Sequence, residues 1–146
     1  MSIYEQIKFD IITSMKTKNG ETTVLRTLDS DIQLQKLNKR LEITDDLVIS
    51  IVNKSIKQHE ESIEMFIKGN RQDLVTKEQN EIDILKRYQP KQMSEQEVTD
   101  IINESIKTLN ATSKKEMGLV IKQVMSQTKG LFDSKRISQL INERLK

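Results

Sequence analysis

Apolar side chains recur along the chain at three- and four-residue steps, the period of one face of an α-helix. Tyr4, Ile7, Ile11 and Met15 make the first such stripe, which runs to Asn19-Gly20 and predicts a helix over about residues 2–18. Val24, Leu25, Leu28 and Ile32, continued by Leu37 and Leu41, make a second, which gives way near Ile43-Thr44. A third stripe holds Val48, Val52, Ile56, His59, Ile63 and Phe66 and stops at Gly69-Asn70. Thr44 offers it a hydroxyl cap, and Asp45 and Asp46 set negative charge at the positive end of its dipole. The fourth, about residues 71–88, carries Leu74, Ile82, Leu85 and Tyr88. Short connections make neighbouring helices antiparallel, so these four predict an antiparallel bundle or a looser helical array.

Pro90, the single proline, removes a backbone donor and disfavours helix at Gln89 before it. Ser94 and Glu97 have capping-box spacing and predict a restart. Val98, Ile101, Ile102, Ile106 and Leu109 line that helix, and Asn110-Ala111-Thr112 ends it. Ser113 and Glu116 repeat the box spacing ahead of Met117, Val120, Ile121, Val124 and Met125, with Gly130 closing this helix; Ile137, Leu140, Ile141 and Leu145 line the last. The expected fold class is all-α: a four-helix array over residues 1–90, then a small three-helix domain over 91–146. So small a domain is marginal by itself, because it buries a modest fraction of its surface.

Composition narrows the chemistry. Aromatics make up 3% of the 146 residues and hydrophobics 35%, so the core must come from Ile, Leu, Val and Met. The absence of cysteine excludes disulfides, thiolate nucleophiles and Cys-ligated zinc. No apolar run approaches the roughly 18 residues of a membrane span, and the expectation is a soluble, cytoplasmic protein without a membrane partner. Residues 1–90 carry 14 basic and 15 acidic side chains; residues 91–146 carry 10 and 7, and residues 111–146 alone carry 8 and 3. The basic surplus therefore belongs to the last two helices.

Catalytic patterns are not evident. The four glycines form no phosphate-cradling loop, and one histidine, His59, leaves little scope for a hydrolytic triad. His59 reads as a partly buried side chain bonded to a neighbour, with Glu60 and Glu64 too poorly placed to make a metal cluster. Asp45-Asp46, Glu60-Glu61 and Glu78-Glu81 read as exposed faces and first turns rather than as acid–base pairs. Neither a catalytic residue, a metal ligand nor a cofactor is expected. Lys114, Lys115, Lys122, Lys129, Lys135 and Arg136 are the candidate site: a patch that neutralises phosphates and releases counterions. With Phe132 alone nearby for stacking, shape and backbone contacts outrank readout of unpaired bases.

The run "ESIEMFIKGNRQDLVTKEQNEIDILKRYQPKQMSEQEV" from Glu61, "NATSKKEMGLVIKQVM" from Asn110 and "VLRTL" at Val24–Leu28 resemble the YqeY family over essentially the whole chain. Gly69, Arg71, Asp73 and Leu74 fit its turn, and Glu81, Ile82, Ile84, Leu85, Tyr88 and Pro90 fit its helix and hinge. Ala111, Thr112, Ser113, Lys114, Met117 and Gly118 fit the start of its central tail helix, with Lys129 and Gly130 at the end. There are departures: Leu131 stands where the family commonly has arginine, Ser134 replaces a glycine, Gln89 a leucine, and His59 often a basic residue.

The YqeY family resembles in turn the C-terminal tail domain of the B subunit of the tRNA-dependent amidotransferase. That resemblance implies a non-catalytic module that binds tRNA or structured RNA. Any carbon–nitrogen ligase activity with glutamine as amido donor would be inherited from the shared domain, not performed by the isolated chain. The alternative reading is an adaptor that docks on an aminoacyl-tRNA synthetase or amidotransferase subunit through exposed apolar residues such as Leu131 or Phe132. A free-standing amidotransferase ranks third, since neither a glutaminase nor an ATP site is visible.

Overall fold

In a computed structural model that describes residues 1–40 and 42–145, all the regular structure among the described residues is helical. The helices are α1 (Ile3–Thr17), α2 (Thr22–Lys39), α3 (Asp45–Lys68), α4 (Gln72–Lys86), α5 (Glu95–Leu109), α6 (Met117–Thr128) and α7 (Ser134–Arg144), with a 3-10 turn at Lys114–Glu116 before α6. Two compact units divide the chain, Met1–Pro90 and Lys91–Lys146.

In the first unit, Ile7, Leu25, Leu28, Ile32, Val48, Ile51, Val52, Ile56, Ile82, Leu85 and Tyr88 form one core. Two of its helices, α1 and α3, begin at side-chain caps, whereas α2 and α4 start without one. Ser2 and Glu5 form a full capping box on α1, a signal the apolar pattern does not contain. Thr44 accepts from the Leu47 N–H at 3.2 Å, with Asp45 and Asp46 in the first turn of α3, as its sequence predicts. Thr44→Ala is expected to lower stability by about 1 kcal/mol, read as a small drop in the thermal midpoint with unchanged helix content.

The expected stripes are only partly the buried ones. Met15 is 49% exposed and Leu37 75% exposed; Leu41 lies outside the described residues. Ser14 instead turns inward on α1, its hydroxyl bonded to the Ile11 carbonyl and the Thr22 hydroxyl. A three- or four-residue step identifies a helix face but not how far round that face the neighbouring helices reach. Tyr88 joins the core although α4 ends at Lys86, and its hydroxyl donates to Asp10 at 2.6 Å.

The second unit is built on Val98, Ile102, Ala111, Val120, Val124, Ile137, Leu140, Ile141 and Leu145. Ser94 caps α5 by accepting from the Glu97 N–H at 3.1 Å. The box expected at Ser113 does not form. Residues Lys114–Glu116 wind as a 3-10 turn, whose tighter three-residue repeat moves the Glu116 carboxylate one residue back, onto the Thr112 N–H at 2.7 Å. Leu109 and Met125 are 40% and 39% exposed rather than core. At the end of α6 the backbone turns left-handed at Lys129 and again at Gly130, and the second of these costs a glycine little. That turn brings the Leu131 carbonyl to the Met93 N–H at 2.8 Å, tying the end of α6 to the chain before α5.

Candidate nucleic-acid interface

The six cations proposed from sequence come from three elements of the second unit. Lys114 and Lys115 lie in the 3-10 turn, Lys122 on α6, Lys129 at its C-cap, and Lys135 and Arg136 in the first turn of α7. All five lysines are exposed. None of the five is in an ion pair among the described residues, which leaves their charge available to a polyanion.

Helical geometry sorts these lysines further. Val120, Val124 and Thr128 form the buried face of α6, and Lys122 lies about half a turn away from both valines. Lys122 and Lys129 are two turns apart on the open side, about 10 Å along the axis at 1.5 Å per residue. Leu119, 63% exposed, and Met125 flank Lys122 on that side, so cations and apolar side chains share it. Gly118 belongs to the same helix, is exposed, and an added Cβ there would meet nothing within 4 Å.

Arg136 stands apart. Its guanidinium pairs with Glu95 at 2.8 Å and lies 3.9 Å from Glu143, with a further bond to Gln139 at 3.4 Å. Its hydrogen bond to Glu95 holds its pKa above even the ordinary arginine value. Arg136 therefore ties α7 to α5, and a phosphate would have to compete with two carboxylates for it. Asp133 caps α7 from the same turn, its carboxylate accepting from the Lys135 N–H at 3.2 Å.

Leu131 and Phe132, the apolar candidates for an adaptor surface, are both half-buried, and Phe132 packs against the core of the second unit. Leu119 takes their place as the strongly exposed apolar side chain near the lysines. Its position one turn from Lys115 and Lys122 follows from the helical period on the solvent side of α6.

His59 is half-buried on α3, but its partners are neither Glu60 nor Glu64. Its Nδ1 is hydrogen-bonded to Glu78 Oε2 of α4 and lies 3.5 Å from Glu81 Oε2. The Glu78–Glu81 spacing is visible in the sequence; its meeting with a residue 19 positions away is not.

The fold and the exposed lysines define a small all-helical protein of two compact units, one of which presents a basic surface. The profile of the YqeY family, described as Yqey-like protein, matches residues 4–145, and the chain belongs to that family. Among its relatives is "Altered inheritance of mitochondria protein 41, mitochondrial" of Pyrenophora tritici-repentis, 29% identical over 145 residues, which covers 97% of this chain and 80% of that protein. The like-named protein of Saccharomyces cerevisiae strain YJM789 is 30% identical over 83% of this chain and 67% of its own length. That of Kluyveromyces lactis is 36% identical over 57% of this chain and 46% of its own. Those names place the relatives in mitochondria. In this chain no helix among the described residues is long and apolar enough to cross a membrane.

Proposed function

We propose that this YqeY-family protein is a non-catalytic module that holds tRNA, or another structured RNA, on α6 and the turns flanking it. The observation that carries the reading is the set of five exposed lysines, Lys114, Lys115, Lys122, Lys129 and Lys135, each outside any ion pair among the described residues. Cations free of protein carboxylates release phosphate counterions at no internal cost, which makes them an RNA-facing edge. Gly118 supports the same reading. A helical glycine costs about 0.5–1 kcal/mol relative to alanine, and the open space beside this one leaves room for close approach of an RNA backbone.

On this reading residues 1–90 and 91–146 are separate domains, a four-helix array and a three-helix tail, and the tail carries the RNA. Kinship with the amidotransferase B-subunit tail would make the chain the RNA-holding part of a carbon–nitrogen ligase system that uses glutamine. The chemistry would then belong to a partner subunit. The cytoplasm, where tRNA is abundant, is the compartment this reading favours.

The test is a titration of unmodified tRNA against the wild type and a variant with all five lysines changed to glutamate. At least roughly a tenfold loss of affinity is expected, which is about 1.4 kcal/mol, with a shallower dependence of binding on salt. Equal binding by both proteins would sink the patch. Gly118→Ala is expected to raise the thermal midpoint slightly while weakening tRNA binding; a stabilised variant with unchanged binding would remove the glycine from the interface.

A second reading rests on Leu119 and Met125, exposed beside Lys122: a surface that docks on an aminoacyl-tRNA synthetase or amidotransferase subunit. Association with such a subunit that survives nuclease and is lost in Leu119→Asp would favour it.

A further inference from the structure

His59, Glu78 and Glu81 bring one imidazole nitrogen and two carboxylate oxygens within 4.8 Å of one another. His59 comes from α3. Both glutamates come from α4 at a three-residue spacing, which sets them on one helix face. The two helices pack together and contribute Ile56, Ile82 and Leu85 to the same core, so the cluster sits beside an apolar packing surface.

The arrangement is poorly served by a hydrogen bond alone. Nδ1 is bonded to Glu78 Oε2 and lies 3.5 Å from Glu81 Oε2, and a ring nitrogen carries a single N–H. One donor cannot satisfy two carboxylates. Two like charges therefore converge on one nitrogen, and a dication among them would be attracted by both while accepting the imidazole lone pair. The three side chains are 23%, 17% and 23% exposed, sheltered enough to limit screening and open enough for water to complete a coordination shell.

We propose that His59, Glu78 and Glu81 form a binding site for a divalent transition-metal ion, zinc in the first instance. An imidazole with two carboxylates is a mixed nitrogen–oxygen donor set that suits zinc, whereas magnesium and calcium favour oxygen alone. Three protein ligands at roughly 2.0–2.2 Å, with water in the remaining position, is an ordinary zinc arrangement. On binding, Nδ1 donates its lone pair to the ion, the ring proton resides on Nε2, and the bond between Nδ1 and Glu78 is replaced by two metal–ligand bonds. The ion then clamps α3 to α4. The site belongs to the first unit and stands independently of the RNA reading.

The full chain, stripped with chelator and titrated with zinc chloride by calorimetry, is expected to take up one equivalent and to show a raised unfolding midpoint with zinc present. His59→Ala and Glu81→Gln should each weaken uptake by at least roughly tenfold and cancel the rise in midpoint. Glu60→Gln, an exposed neighbour on α3, should do neither. Circular dichroism establishes that each variant is folded, and the near-isosteric Glu81→Gln decides the matter if His59→Ala does not fold. No uptake by the folded wild type, equal uptake by Glu81→Gln, or equal affinity for magnesium chloride would overturn the site.

Discussion

Ile102→Ala is expected to unfold the Lys91–Lys146 unit under conditions where the Met1–Pro90 unit remains folded. Ile102 is fully buried in α5, in a core completed by Val98, Val120, Val124, Ile137 and Ile141. Truncating a buried isoleucine costs about 2–5 kcal/mol, through lost transfer energy and the cavity left behind. A core in a unit of about 56 residues rarely supplies more than roughly 3–5 kcal/mol in total. The substitution therefore removes most or all of the unit's stability. Calorimetry should show the wild type's second-unit transition lost or shifted far down, with the other retained. A single transition that shifts as a whole would mean that the two units unfold together and would count against separate domains.

Tyr88→Ala should have an effect of similar size on the first unit. Tyr88 is 6% exposed, packs in the core and donates its hydroxyl to Asp10 at 2.6 Å, joining the chain after α4 to α1 across 78 residues. Loss of a buried aromatic costs about 3–5 kcal/mol. Tyr88→Phe keeps the ring but removes the hydroxyl donor to Asp10 Oδ2, leaving Gln6 bonded to Oδ1, a loss of about 1.5–3 kcal/mol for a hydrogen bond to a charged group. Urea unfolding followed on both variants would separate the two contributions; a Tyr88→Phe midpoint equal to the wild type's would mean that water replaces the hydroxyl at no cost.

The same phenol makes a pH prediction. Burial first, then the hydrogen bond to Asp10 and its negative charge, push the Tyr88 pKa well above the ordinary tyrosine value, with Arg87 opposing and Glu21 adding slightly. The folded state then holds the proton more tightly than the unfolded chain does. Stability is fully present below about pH 10, the unfolded tyrosine value, and falls as pH rises beyond it through the folded value. Tyr4 is shifted in the same direction by burial and by Asp29. Tyr88→Phe should thus flatten the alkaline decline without abolishing it, and an unchanged slope would contradict the assignment.

Local order was legible along the chain wherever a short-range pattern causes it. The cap at Thr44, the cap at Ser94 and the helical period of all seven elements depend on residues three or four apart, and each is present. The Ser113 box failed although its spacing was correct. The first turn winds as 3-10 and Glu116 accepts from the Thr112 N–H instead, an outcome that the Ser-x-x-Glu spacing does not distinguish from the box. The site divides in the same manner. That the lysines belong to the basic end of the chain followed from counting charges. That Arg136 is spent on Glu95, 41 residues away, did not.

By itself, then, the sequence determined an all-helical protein of the YqeY family, without cysteine chemistry and with its positive charge concentrated after residue 110. Those properties follow from composition, from family pattern and from interactions within one helical turn. Tertiary structure alone decided that Met15, Leu37 and Met125 face water while Ser14, Ile51 and Thr128 are buried, that Phe132 supports a core, and that His59 meets two glutamates of α4. The physical reason is common to all of these. A helical repeat establishes which residues share a face, but the rotation of each helix against its neighbours establishes which faces meet, and that depends on the packing of the whole unit at once.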